Sequence, residues 1–128
     1  MKQFENDILK MEVREGILIS EHIAKEIIDL KQAKETFELR LKHIGDYPYP
    51  ILADATKGKG ATLEAQKYVL KADDELGTPA IAIIVDSLVS RIFGNLVINF
   101  VQNTKMNIRL FLDREKGIRW LKKYVQES

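Results

Sequence analysis

The sequence predicts an α/β domain, a mixed sheet with an N-terminal β-hairpin and helices packed on it, in the order ββαβαβαβα. Two observations carry this. Three short apolar segments, residues 50–54, 80–86 and 108–113, each end in an aspartate at a turn, and each is followed by a helical pattern. Ahead of them, an alternating stretch and a second apolar stretch are joined by Glu15-Gly16. Ligands of open α/β sheets bind outside the carboxyl ends of the strands, so the aspartate tips mark the edge on which to look for a site.

Each element has its own justification. Leu9, Met11 and Val13 alternate with Lys10, Glu12 and Arg14, the period of a strand with one wet face. Glu15-Gly16 turns the chain, and residues 17–20 return as a second strand. Residues 21–28 fit either an early helical turn or an extended connection. Asp29 reads as an N-cap with Gln32 as its capping-box partner. Leu30, Ala33, Phe37, Leu41 and Ile44 then form one apolar stripe of a helix ending near Gly45. Pro48 and Pro50 forbid its continuation and deliver the chain into the strand ending at Asp54.

Thr62 caps a second helix, reaching Leu76, whose buried face is read as Leu63, Tyr68, Val69, Ala72 and Leu76. Residues 80–85 are apolar on both faces, which predicts a central strand covered on both sides. Ser87 caps a helix to about Asn103, and Asn107 precedes the last strand. Asp113 caps a final helix carrying Ile118, Leu121 and Val125, with Trp120 and Tyr124 beside that stripe. No repeat or linker interrupts the pattern, so residues 1–128 read as a single domain.

Composition bounds the function. The 128 residues are 45% hydrophobic and 30% charged, with a formal net charge of +1, an ordinary globular balance. That charge gives no electrostatic argument for a nucleic-acid partner. The chain has no cysteine, which excludes disulfides, thiolate catalysis and cysteine-ligated zinc. No run of about 18 apolar residues predicts a membrane span, and the N-terminal residues lack a signal-peptide core. A cytoplasmic protein is expected.

Four groups of residues can carry chemistry. Asp54, Asp86 and Asp113, if their strands are neighbours, put three carboxylates on one edge, a set able to hold Mg²⁺. The commoner role for Asp86 and Asp113 is to cap helices or turns, and no metal or other cofactor is expected. Asp54-Ala55-Thr56 lacks the second aspartate of a phosphotransfer loop. Lys57, Lys59 and Thr62 lie on a strand-to-helix loop whose N–H groups can receive a phosphate, although the spacing is not that of a P-loop. Ser87, Ser90 and Arg91 share the first turns of one helix and can hold an anion. Serine catalysis needs a base, and the only histidines, His22 and His43, are read as lying in or beside the first helical region, with nothing tying them to this edge. The segment 88–101 is apolar over more than one stripe, which predicts a homodimer or partner interface, or less favourably a groove for an acyl ligand.

The element order, Asp54 closing a strand with a capping hydroxyl a few residues later, and the stretches 85–95 and 108–112 followed by Trp120-Leu121 together resemble the STAS/SpoIIAA-like family. That family includes anti-sigma-factor antagonists. In those members a phosphorylatable hydroxyl opens the helix after the third strand, usually in an Asp-Ser-Ser-Gly-like loop. The matching region here is 54–62, with Thr62 as the positional match for a phosphoacceptor and no Ser-Gly after it. The resemblance implies a non-enzymatic, regulatory module that docks an unidentified protein through Asp54, Thr56, Lys57, Lys59, Thr62, Asp86, Ser87, Ser90 and Arg91. The alternative it implies, through a fold similar to Sec14-type domains, is a carrier or sensor of a small apolar or acyl ligand. A Mg²⁺-dependent phosphotransfer enzyme using Asp54 and Asp86 is the third reading.

Overall fold

The computed structural model describes residues 2–86 and 104–126. The helix predicted over 87–103, with Ser87, Ser90, Arg91 and the apolar interface at 88–101, lies outside the described residues.

A six-stranded sheet runs in the order β1-β2-β3-β4-β5-β6. Its strands are β1 (Gln3–Glu5), β2 (Leu9–Arg14), β3 (Ile17–His22), β4 (Ile51–Asp54), β5 (Ala80–Ile84) and β6 (Asn107–Phe111). The pairs β1/β2 and β2/β3 are antiparallel, and β3 through β6 are parallel, so the sheet is mixed as the sequence predicts. The helices are α1 (Leu30–His43), α2 (Leu63–Leu76) and α3 (Arg114–Leu121), the last followed by a 3₁₀ turn at Lys122–Tyr124.

β1 is an addition to the predicted order. It is three residues long with Phe4 alone turned inward, too short to leave a period in the sequence. Asn6 shapes the turn after it, its Oδ1 accepting from the N–H groups of Ile8 and Leu9 at 2.8 Å each. The β2–β3 turn falls on Glu15 (φ 53°) and Gly16 (φ 80°), two positive-φ residues as a two-residue type I′ hairpin requires. Residues 21–28 take the extended alternative. β3 runs on to His22, and Ile28 forms an isolated parallel bridge with Ala61.

Alternation along the strands sends side chains to two cores. Leu18, Ile51, Ile81, Ile83 and Val85 face one side with Ile44 and Leu70, where α1 and α2 pack. Ile17, Ile19, Leu52, Ala80, Ala82 and Ile84 face the other, against Trp120 and Leu121 near the end of α3. All five β5 residues are buried, the two-sided coverage that an uninterrupted apolar run predicts. Leu52 and Leu121 are 0% exposed, and each such burial contributes about 1.5–3 kcal/mol. Gly117 allows α3 to lie close. A Cβ there would stand 2.9 Å from Ile84 Cδ1 and 3.3 Å from Leu52 Cδ1.

The inward faces of the helices differ from the apolar stripes read in the sequence. α1 buries Ala33, Thr36, Phe37 and Arg40, while Leu30 and Leu41 are half-buried. α2 buries Ala65, Leu70 and Asp73, and Leu63 is 52% exposed. The cause is a buried ion pair. Arg40 Nη1 meets Asp73 Oδ1 at 2.7 Å, with side chains 4% and 2% exposed, and this turns a polar residue of each helix inward. The final helix stops at Leu121, and Trp120, read as flanking its stripe, is buried between Phe111 and Tyr124.

Candidate functional site

The four parallel strands end on one edge. The register Glu21↔Asp54↔Ile84↔Phe111 carries a single row across β3, β4, β5 and β6. Two bonds extend it, Ala55 N–H to Ile84 O and Val85 N–H to Phe111 O, each 3.0 Å. Asp54, Asp86 and Asp113 therefore stand at neighbouring strand ends, as the repeated apolar-to-aspartate pattern predicts.

Asp54 organises the α3 side of this rim. Its Oδ1 accepts from Thr56 N–H at 3.0 Å and from Thr56 Oγ1 at 2.6 Å, and its Oδ2 accepts from Arg114 Nη1 at 3.1 Å. Burial alone would raise its pKa. The Thr56 bonds and the Arg114 guanidinium outweigh burial and hold the carboxyl below its usual value. Arg114 also reaches Glu21 Oε1 at 3.4 Å, and Lys57 Nζ reaches Glu21 Oε2 at 3.4 Å. The rim is thus an alternating chain of charge, Asp54–Arg114–Glu21–Lys57, running from a buried end to an exposed one.

Both Asp54 oxygens are engaged by Thr56 and Arg114, and Asp113 accepts from Glu115 N–H at 2.9 Å as the cap of α3. Among the described residues, no group of three or more His, Asp or Glu side chains is placed to hold a metal ion. Asp86 is exposed just beyond β5.

Thr62 caps α2, its Oγ1 accepting from Ala65 N–H at 3.2 Å, while its own N–H donates to Ile28 O at 2.9 Å. Two N–H donors at this terminus are therefore used within the protein rather than left for a phosphate. The hydroxyl itself sits on an exposed residue, as do the Thr56, Lys57 and Lys59 side chains of the loop before it. Gly58 lets that loop press on the neighbouring strand, since a Cβ there would lie 3.1 Å from His22 O.

His22 is a correction. It is tied to this edge after all, because it ends β3 on the same rim. Its side chain follows Leu18 and Ser20 onto the α1/α2 face, opposite to Glu21. Burial pushes its pKa down, opposed by the charge of Asp54. Sequence reading missed it because the strand was ended at Ser20. One further step of the alternation would have placed both Glu21 and His22.

Behind His22 lies a cavity of about 130 Å³ between the sheet and helices α1 and α2. Its wall is largely apolar, formed by Met11, Leu18, Phe37, Ile51, Leu70 and Ile81 among others. Arg40, Asp73, Gln66, Ser20 and His22 also line it. Burial pushes the Asp73 carboxyl up, against the opposing charge and hydrogen bond of Arg40. Arg40, Gln66 and Asp73 were not singled out in the sequence, because polar side chains on an amphipathic helix are normally read as facing water.

The family described as "Domain of unknown function (DUF7793)" matches residues 11–125, and the chain belongs to that family. No curated protein matches. A solved structure of an uncharacterized protein of the DUF3478 family with a SpoIIAA-like fold, from Shewanella loihica PV-4, is similar at a TM-score of 0.60. The two are 20% identical, and the match covers 88% of this chain and 91% of the other. At that identity the likeness establishes the fold, and the fold is SpoIIAA-like. Among the described residues no helix is long and apolar enough to cross a membrane.

Proposed function

We propose that this member of the DUF7793 family is a non-enzymatic, regulatory protein-interaction module that docks a partner on the rim at the strand carboxyl ends. The observation that supports this reading is the position of Thr62, an exposed residue whose hydroxyl caps the start of α2, next to the loop bearing Lys57 and Lys59. A phosphate on Thr62 would bring about −1.5 to −2 charges to that surface. At a helix N-terminus it would not disturb the domain, because negative charge is favourable there. It would instead oppose an acidic partner that Lys57 and Lys59 attract. Affinity capture from the native host tests this. The unmodified protein should retain a defined protein, and Thr62→Glu should weaken retention about tenfold, equivalent to about 1.4 kcal/mol. Equal retention by both forms, or none by either, would count against it.

The cavity favours a second reading, in which the domain carries or senses a small, mainly apolar ligand. Native mass spectrometry of freshly purified protein tests it, with recurrent added mass as the expected result and a bare chain in every preparation as the contrary one.

A further inference from the structure

Most polar atoms of the residues lining the cavity are closed off from it or committed elsewhere. His22 Nδ1, Arg40 Nε and Gln66 Oε1 are occluded. Gln66 Nε2 donates to Ala61 O at 2.8 Å, Thr36 Oγ1 donates to Gln32 O at 2.7 Å, and Arg40 Nη1 meets Asp73 Oδ1 at 2.7 Å. Two atoms differ. Ser20 Oγ and His22 Nε2 have no hydrogen-bond partner among the described residues, and neither is occluded. Ser20 is 6% exposed, so what can be reached of its hydroxyl is reached from the cavity it lines.

Both residues belong to β3, where alternation sends Leu18, Ser20 and His22 to the α1/α2 face. Residues two apart on a strand are about 7 Å apart, so one group of a bound molecule can lie within hydrogen-bond reach of both side chains. This polar spot stands at the rim end of the wall. Two residues deeper, the register Leu18↔Ile51↔Ile81 makes an apolar row, with Phe37 and Leu70 from the helices also on the wall. Water suits only one part of such a space. A buried water needs about two to four polar partners, which the Ser20 and His22 end offers and the apolar row does not.

We infer that this cavity binds a compact neutral molecule with an apolar body and a single hydroxyl, the hydroxyl held between Ser20 Oγ and His22 Nε2 and the body lying along the Leu18–Ile51–Ile81 row. This inference rests on the carrier reading and gives it a ligand class. A hydroxyl suits the pair because it donates and accepts at once, and a serine hydroxyl and a neutral imidazole can each answer in either sense. The size follows from volume. The space is about 130 Å³, and a cavity of about 150 Å³ takes benzene, so the ligand has roughly six to eight non-hydrogen atoms. Neutrality follows from charge. Arg40 is already balanced by Asp73, and the Asp54 carboxylate acts on His22 from the rim, so a carboxylate at this spot would meet a like charge in a mostly apolar space.

The test is a heteronuclear NMR titration of the full chain with three probes: 4-methylphenol, p-xylene and benzoate. Saturable shifts at amides lining the cavity are expected, with benzoate bound on the order of tenfold more weakly than 4-methylphenol. Ser20→Ala and His22→Leu should each weaken 4-methylphenol about tenfold and leave p-xylene within about twofold, because p-xylene never used the lost partner. Val69→Phe, which puts a ring into the space, should abolish binding of all three. If no probe shifts cavity amides, or the shifts persist in full in Val69→Phe, the carrier reading and this inference both fall. If benzoate binds as tightly as 4-methylphenol, or neither Ser20→Ala nor His22→Leu separates 4-methylphenol from p-xylene, the carrier reading stands and the assigned ligand chemistry is overturned.

Discussion

Arg40→Met removes the cation from a buried pair and leaves Asp73 behind. The carboxylate is 2% exposed, and besides Arg40 the Thr78 hydroxyl donates to it at 3.4 Å, too long to replace a charge-assisted bond of 2.7 Å. Breaking a buried pair from one side costs about 3–5 kcal/mol, a large part of the roughly 5–15 kcal/mol that stabilises a domain. Asp73→Leu in the same chain removes the stranded charge. Buried pairs replaced by apolar residues are often neutral or better, so the double variant should return to within about 1 kcal/mol of the parent. The coupling between the two sites is then about 3 kcal/mol, far above what independent sites show. Sign and pH agree with this. The Asp73 pKa is raised in the folded state, so the stability it costs develops as pH rises above the unfolded value of about 3.9. The deficit of Arg40→Met should shrink on acidification from pH 7 to 5. Urea unfolding read by the fluorescence of Trp120, the chain's single tryptophan, measures the parent, Arg40→Met, Asp73→Leu alone and the double variant. A single variant costing under 1 kcal/mol, or a double variant as unstable as the sum of its parts, would refute the reasoning.

Gly117→Ala gains up to about 1 kcal/mol of helix propensity but forces a methyl to 2.9 Å from Ile84 Cδ1, an overpacking cost of about 1–3 kcal/mol. A lowered melting temperature is expected, and an unchanged or higher one contradicts the close α3 packing. His22 is held neutral by burial, so its contribution is complete above the unfolded value near pH 6.5 and is lost as pH falls toward the lower folded value. His22→Gln should flatten stability between pH 7 and 5, where one proton accounts for at most about 1.4 kcal/mol per pH unit; an identical slope in both proteins would contradict its burial. Asp54 has a depressed pKa, so its contribution is present above about pH 4 and is lost as pH falls through the folded value. Asp54→Asn should cost about 1 kcal/mol at pH 7, given the half-exposed Arg114 partner, and progressively less as pH is lowered below about 4 in chemical unfolding.

The local chemistry of the chain was legible where it is written in adjacent residues. The Asp29/Gln32 capping box, the Thr62 and Asp113 caps, the Glu15-Gly16 turn and the two-faced β5 all depend on neighbours within a few positions, and all are found. The common rim was legible because three of the four parallel strands, β4, β5 and β6, end at or just before an aspartate. What escaped depends on pairing across the fold. Arg40 and Asp73 lie on different helices, and nothing near either one marks it as buried. Arg114 binds Asp54 and Glu21 across 60 and 93 residues, so it could be noticed beside Asp113 without its role being visible. His22 and Ser20 gain meaning only once a cavity exists for them to face.

The claim that the rim is a docking surface is tested most directly by in-cell photo-crosslinking from two positions. A photoreactive residue in place of Lys57 lies on the rim, and one in place of Asp46, in the exposed loop before β4, lies at the opposite end of the sheet. A discrete protein adduct should form from the Lys57 position, be absent from the Asp46 position, and disappear when Thr62→Glu is added. Equal adducts from both ends, or an adduct indifferent to Thr62→Glu, would contradict it.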